Sequence, residues 1–314
     1  MFPYVLRRLL ASAVTLAGIA VITFALMHAV PGGPFEALAG DTASPGLVAA
    51  QDAAYGLDRP LPEQFVRMLG NLLRGDLGIS FAQRGQPVGE LLAARVRASA
   101  ILGVVAFAAA VGAGIPAGVV TAVRRGTAWD FAGLGATTAL AALPSFVLSF
   151  LLLLVFAIGL GWTDVRPGPG FGESVASLRH AVLPAVALGA PSMALLARMT
   201  RASLLEVLDA DYIRTARAKG LGEGAVVWRH ALRNALVPVV TLSGPVFANL
   251  VVGSIIVESI FGLPGVGTLF VTSIALRDYG VIMGATLFYA TVVLAVNLAV
   301  DLLYPVLDPR MRPA

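Results

Sequence analysis

Six apolar stretches govern what this sequence can become, at roughly residues 9–30, 99–123, 131–160, 181–197, 239–259 and 281–304. About 20 such residues are enough helix to cross the hydrocarbon core of a bilayer. The fourth stretch is short and holds Pro184 and Pro191. Membrane helices keep such prolines because neighbouring helices and Ser/Thr groups satisfy the freed carbonyls. Only 13% of residues are charged and 58% are apolar, far from the balance of a soluble domain. The expectation is an all-α polytopic membrane protein with six transmembrane helices.

Arginine placement gives the orientation. Arg7 and Arg8 precede the first stretch, Arg124 and Arg125 close the second, and Arg310 and Arg312 follow the sixth. A further basic island, Arg214, Arg217, Lys219, Arg229 and Arg233, lies between the fourth and fifth. An even number of crossings puts all of these on one side, which the positive-inside rule makes the cytoplasm. The opposite short loops, 161–180 and 260–280, carry only Arg166, Arg179 and Arg277. Arg59, Arg67, Arg74, Arg84, Arg95 and Arg97 fall in the long 31–98 loop, and loops beyond about 60 residues translocate largely regardless of charge. Both termini are therefore expected inside. A net charge of +4 can also mean nucleic acid, but basic residues flanking apolar spans point to topology and lipid headgroups, so no nucleic acid is expected as a partner. Arg7-Arg8, an apolar run and Ala37-Leu38-Ala39 could form a signal peptide with its cleavage site. The run, 9–30, is longer than the usual apolar core of about 7–15 residues, which favours a retained helix.

The chain divides into an N-terminal transmembrane helix at 1–30, an extracytoplasmic segment with short helices at 31–98, and a five-helix core at 99–314. In the middle segment Ser44-Pro45 reads as a helix start and Gly56 as a stop. After Pro62, the residues Phe65, Met68, Leu69, Leu72 and Leu73 make one apolar helical stripe ending at Gly75. That stripe serves either local packing or a docking surface for an external partner.

Several chemistries are missing. A P-loop needs G-x-x-x-x-G-K-[ST], and Lys219, the sole lysine, is followed by Gly220-Leu221. His28, His180 and His230 form no zinc motif, no G-x-S-x-G elbow occurs, and no cysteine is present. Self-powered carriers often place acids inside their spans; here only Glu258 and Asp301 qualify, near span ends.

The island reads DYIRTARAKGLGEGAVVWRHALRNALVP from residue 211. Leu204, Leu205, Val207 and Leu208 continue the apolar face of the helix entering it. Asp209 and Asp211 suit the N-terminal end of a short helix, and Arg217 and Lys219 its C-terminal end, which Gly220 closes in the left-handed region. Tyr212, Ala216 and Gly220, with Ala218 beside them, give a small face that a groove in another protein can approach closely. A second helix, about 223–236, is expected to stop before Pro238. By pattern alone the island is either an amphipathic linker on anionic lipid or a protein dock.

RTARAKG followed by RHALRNALVP closely resembles the cytoplasmic "EAA" loop of ATP-binding-cassette importer permeases, in the form used by the peptide and nickel branch. Gly220 matches the motif's glycine and Ala216 its second alanine, while Arg214-Thr215 replace Glu-Ala and Arg233 stands where the family has a proline. The similarity extends to YVLRRLLASAVTLAGIAVITFALMHAVPGGP, YGLDRPLPEQFVRMLGNLLRGDLGISF, VESIFGLPGVGTLF, ALRDYG and NLAVDLLYPVLDPRMRP, in order. The wording of several blocks is nearest the oligopeptide permeases of the B type.

That resemblance implies a type I importer permease fold in the bacterial inner membrane and a second, homologous permease subunit. It also implies two ATPase subunits that bind ATP and Mg, and an extracytoplasmic solute-binding protein; this chain itself would hold no cofactor and catalyse nothing. It places the coupling loop at about 200–237, with Arg214, Thr215, Ala216, Arg217, Ala218, Lys219 and Gly220 in an ATPase groove. For the pathway, Pro245, Asn249 and Gly253 stack at i+4 in the fifth stretch, with Ser254 and Glu258 adjoining, a small and polar face that suits either tight packing or a wet cavity. The expected cargo is an oligopeptide or dipeptide, with nickel or another small solute as the alternative within the family. A self-sufficient secondary carrier, an intramembrane enzyme and a membrane scaffold are the rivals outside it.

Overall fold

The computed structural model describes residues 2–39, 44–83, 85–162, 171, 178–251 and 254–307. Arg84, Arg166, Gly253, Arg310 and Arg312 lie outside the described residues. Helices run as α1 (Phe2–Ala29), α2 (Pro34–Ala39), α3 (Pro45–Tyr55), α4 (Leu61–Leu73), α5 (Val88–Val123), α6 (Ala128–Ala142) and α7 (Ser145–Leu152). They continue as α8 (Leu178–Leu208), α9 (Asp211–Ala218), α10 (Glu223–Ala225), α11 (Leu232–Val251), α12 (Ile255–Phe261), α13 (Val266–Ala275) and α14 (Tyr279–Leu307). π-helical turns extend α7 through Leu153–Gly159 and join α10 to α11 through Val226–Ala231.

Five helices among the described residues are long and apolar enough to cross a membrane, and up to seven spans result if each of two broken pairs counts as one. The stretch at 131–160 is one such pair: α6 and α7 meet at a bend of 105°. Leu143, held extended at φ −77° and ψ 121°, precedes Pro144, and a residue before proline is pushed out of the helical region. Pro184 and Pro191 lie inside a continuous α8, as expected. Pro238 departs from expectation. The helix starting at Glu223 does not stop before it but continues through Pro238 and Pro245 to Val251.

The chain forms two compact units. The first comprises residues 1–99 and 264–294. Here Ser44 and Gly56 bound α3 where the sequence indicates, Ser44 without a side-chain capping bond and Gly56 at φ 71° with its N–H on the Ala53 carbonyl. The apolar stripe of α4 packs locally through Phe65, Met68 and Leu72, whereas Leu73 is 82% exposed. Phe65 meets Phe24 of α1 edge-on at 5.2 Å, and Met68 and Leu72 join Ala20, Met27 and Met283. The tie that organises this unit is Asp278, which is fully buried. It accepts the Phe81 N–H at 3.1 Å, the Ala82 N–H at 3.2 Å and the Ser80 hydroxyl. One carboxylate thereby gathers three donors of the 80–82 segment, which is further tied by the Ser80 N–H to the Gln86 carbonyl. Gly280 lets α14 press against that loop, since a Cβ there would fall 2.3 Å from the Ile79 carbonyl oxygen.

The second unit comprises residues 100–263 and 295–314. α8 is its axis, with α6, α7 and α11 against it and with Ala185, Ala187, Gly189, Ala190, Ala194 and Ala197 buried. α5 lies backbone to backbone with α8. A Cβ on Gly118 would sit 2.4 Å from the Ala197 carbonyl oxygen, one on Gly114 2.7 Å from that of Met193, and one on Gly189 2.7 Å from that of Ala106. Asp130, at the first turn of α6, is buried and takes a bidentate grip from Arg201 of α8, with both N···O distances 2.9 Å, while accepting the Gly126 N–H at 3.0 Å. Such a pair specifies geometry well because the guanidinium fork fits a carboxylate in one orientation.

Gly118→Val should therefore separate α5 from α8, with a destabilisation on the order of 1–3 kcal/mol typical of overpacking. Gly112, with nothing within 4 Å of its would-be Cβ, should accept alanine. Thermal denaturation of the two variants in detergent checks the contrast; equal midpoints would contradict the packing described.

Candidate functional site

The island is a folded element of the second unit. α9 follows α8 after two residues and presents one face inward: Ile213 is fully buried and Ala216 is 7% exposed. Both sit in a cluster with Val119, Ala122, Leu204, Val226, Ala231 and Ala235, so a helix of only eight residues, too short to persist alone, is held by apolar burial at its base. Three polar ties complete the clamp. Arg217 donates to both oxygens of Glu223, at 2.7 and 3.3 Å, and to the carbonyl of Leu208, the last residue of α8. Asn234 of α11 donates to the Tyr212 hydroxyl at 2.8 Å. The Thr215 hydroxyl returns to the Asp211 carbonyl. The hydrogen bond to Glu223, ahead of the Coulomb attraction, raises the Arg217 guanidinium above its already high ordinary pKa, so it stays cationic at any physiological pH. Gly220 takes φ 79°, and Leu221 reaches back to the Ala216 carbonyl at 3.4 Å, the left-handed closure expected of it.

This geometry revises the face read from sequence. Ala216 does not line an exposed small surface, because it is turned inward among Val119 and Ala122 of α5 and Val226, Val227 and Ala231 of the π-helical turns. Arg217 is committed to Glu223 and Leu208. The outward face of α9 carries Arg214, 72% exposed and lightly paired with Asp211 at 3.3 Å, together with Thr215, Ala218, Lys219 and Gly220, all exposed. The presented surface is thus short-chained at Ala218 and Gly220 and cationic on either side.

The pathway candidates do not share one helix face. α11 ends at Val251, and Ser254 caps a new helix, its Oγ accepting the Val257 N–H at 3.3 Å. Ser254 is extended at φ −130° and ψ 114°, so Ser254 and Glu258 belong to a separate helix from the one that carries Pro245 and Asn249. Asn249 is exposed near the end of α11, whereas Glu258 is fully buried in α12, which packs on α7 and α8. Gly253 lies outside the described residues. Sequence reading missed the Asp130–Arg201 pair entirely, since its members are 71 residues apart; the only local signal was an acid in the first turn after Thr127.

Inward and outward positions on α9 should respond unequally to the same change. Ala216→Leu should overpack the clamp and destabilise by about 1–3 kcal/mol, and Gly220→Ala should cost about 1 kcal/mol for its left-handed backbone. Ala218→Leu should leave the melting midpoint unchanged. A larger drop for Ala218→Leu than for Ala216→Leu would overturn the orientation given for α9.

Comparison with known proteins agrees with this architecture. Residues 1–95 match the N-terminal part of a binding-protein-dependent transport system membrane component, and residues 114–313 match the binding-protein-dependent transport system inner membrane component. The chain is 41% identical over 313 residues to the oligopeptide transport system permease protein OppB of Salmonella typhimurium, covering 99% of this chain and 100% of that protein. It is 39% identical over 312 residues to the OppB of Escherichia coli K12, with the same coverage. To the dipeptide transport system permease protein DppB of Escherichia coli K12 it is 39% identical over 337 residues, covering 99% of each. The chain therefore belongs to the family of binding-protein-dependent transport system inner membrane components, and it is a transport permease.

Proposed function

We propose that this chain is one of two homologous permease subunits of an ATP-driven importer of short peptides, forming half of the pathway and coupled through α9 to cytoplasmic ATPases. The observation that carries the reading is a full-length likeness to permeases named for oligopeptide and dipeptide transport, joined to an α9 that is clamped at its base and open on its outer face. In this scheme ATP and Mg bind the two ATPase subunits, an extracytoplasmic protein delivers the peptide, and the permease itself catalyses nothing. Closure of the ATPases moves α9, and the body built on α8 and α11 moves with it between two packed arrangements.

The membrane topology follows from the arginines. α1, α5, α8, α11 and α14 each cross, and the bent pair α6–α7 crosses once. α12 and α13, of 7 and 10 residues, are each too short to cross and stay on the outer side. Six crossings result, with both termini in the cytoplasm of a bacterium and the island on the same side. Asn249 is the candidate pathway residue best supported by placement, since an exposed amide on a membrane helix faces a cavity or another subunit more readily than lipid. Glu258, with Ser254 at the start of the same helix, lies closer to structural support of α12.

Lys219 supplies the test, being the chain's sole lysine and exposed at the end of α9. A short amine-reactive cross-linker applied to the purified complex should join this chain to an ATPase subunit, and Lys219→Arg should abolish the product. Proteoliposomes holding the whole complex should accumulate a labelled tripeptide only with ATP and binding protein. Uptake by this chain alone, or accumulation of nickel in place of peptide, would contradict the proposal.

A further inference from the structure

A second feature of the same unit lies beside the island and is not explained by coupling. The end of α5 and the start of the α10–α11 helix enclose a groove of about 230 Å³. Val120, Val123, Val227 and Trp228 line it, together with the charged Arg124 and Glu223. Val120, Val123 and Trp228 are 44%, 50% and 66% exposed, so the groove opens to the surroundings. Both helices that form it are among those apolar enough to cross a membrane.

The charges that line it are unequal. The carboxylate of Glu223 is held by Arg217 at 2.7 Å, and the nearby acid Asp130 is held by Arg201. Arg124 forms no ion pair among the described residues; its guanidinium lies 5.3 Å over the ring of Trp129, which is 62% exposed. Arg125 beside it is exposed as well. The result is an apolar groove ending in uncompensated positive charge, flanked by two exposed tryptophans. Tryptophan collects where hydrocarbon meets headgroups, and a cation at that level attracts anionic lipid.

We propose that this groove is a binding site for an anionic phospholipid of the bilayer, one acyl chain lying along Val120, Val123, Val227 and Trp228 and the phosphate meeting Arg124. A zwitterionic lipid fills the same groove less well, because its ammonium gains nothing from Arg124. The site is independent of which solute the permease carries.

Tryptophan fluorescence tests it directly. In a Trp162→Phe background the remaining indoles are Trp228, which lines the groove, and Trp129, which lies under the Arg124 guanidinium. The full chain, alone and within its purified complex, is titrated with dibromoacyl phosphatidylglycerol or dibromoacyl phosphatidylcholine in neutral mixed micelles. Phosphatidylglycerol should quench at a mole fraction roughly fivefold lower than phosphatidylcholine, the increment expected of one interfacial arginine. Arg124→Gln should bring the two curves together, and Val123→Phe, which narrows the groove and leaves its charge alone, should lower the saturable quenching by both lipids. Coincident curves in the parent protein would mean an ordinary lipid annulus and overturn the site. So would a preference that survives Arg124→Gln. Quenching in the isolated chain that vanishes in the assembled complex would assign the groove to a partner protein instead.

Discussion

Within a bilayer, hiding leucine gains nothing, because the surrounding lipid is as apolar as the side chain. Helices there are held by close van der Waals approach and by hydrogen bonds satisfied within the protein. Contact of backbone with backbone is therefore the constraint on which the second unit depends. Gly114 and Gly118 of α5 and Gly189 of α8 bring main chains to distances where any Cβ would collide with a carbonyl oxygen. α8 then serves as a fixed axis, and Asp130–Arg201 sets how α6 docks on it. The first unit uses a different device, a single buried carboxylate, Asp278, that collects the hydrogen-bond donors of a distant loop.

The proposed coupling acts on what is built at the end of that axis. α9 has eight residues and no stability of its own, yet it is fastened below by Ile213 and Ala216 and at its sides by Arg217–Glu223 and Tyr212–Asn234. A partner pushing on Ala218 or Gly220 in the proposed importer pushes on α8 and α11 together. The division of labour within RTARAKG follows from helical geometry: positions three and four apart share a face, so Ile213 and Ala216 go inward while Arg214, Thr215 and Ala218 stay outward.

The sequence was most legible where a rule is local. Ser44, Gly56 and Gly220 act through the backbone of their own few residues, and each sits where those rules place it. The apolar stripe of α4 was legible too, because periodicity reports burial before the partner is known. Prolines were less predictable. Pro144 bends its stretch by 105° while Pro238 leaves its helix continuous, so the presence of a proline alone does not decide between bend and continuity. Ala216 was misread because smallness is compatible with an exposed docking face and with a tight interior, and only the position of α5 decides. Asp130 with Arg201, and Asp278 with the loop at 80–82, join residues remote in the chain, so no window of sequence contains them.

The central claim is that α9 and the body of α8 and α11 move as one piece. The chain has no cysteine, so spin labels can be placed at Ala218→Cys and Arg233→Cys, both exposed, and their separation measured in the assembled transporter by pulsed electron resonance. The account predicts one narrow distance distribution, the same in the nucleotide-free, ATP-bound and hydrolysed states. A distribution that shifts or broadens with nucleotide would show α9 to be a hinged flap and would contradict the account.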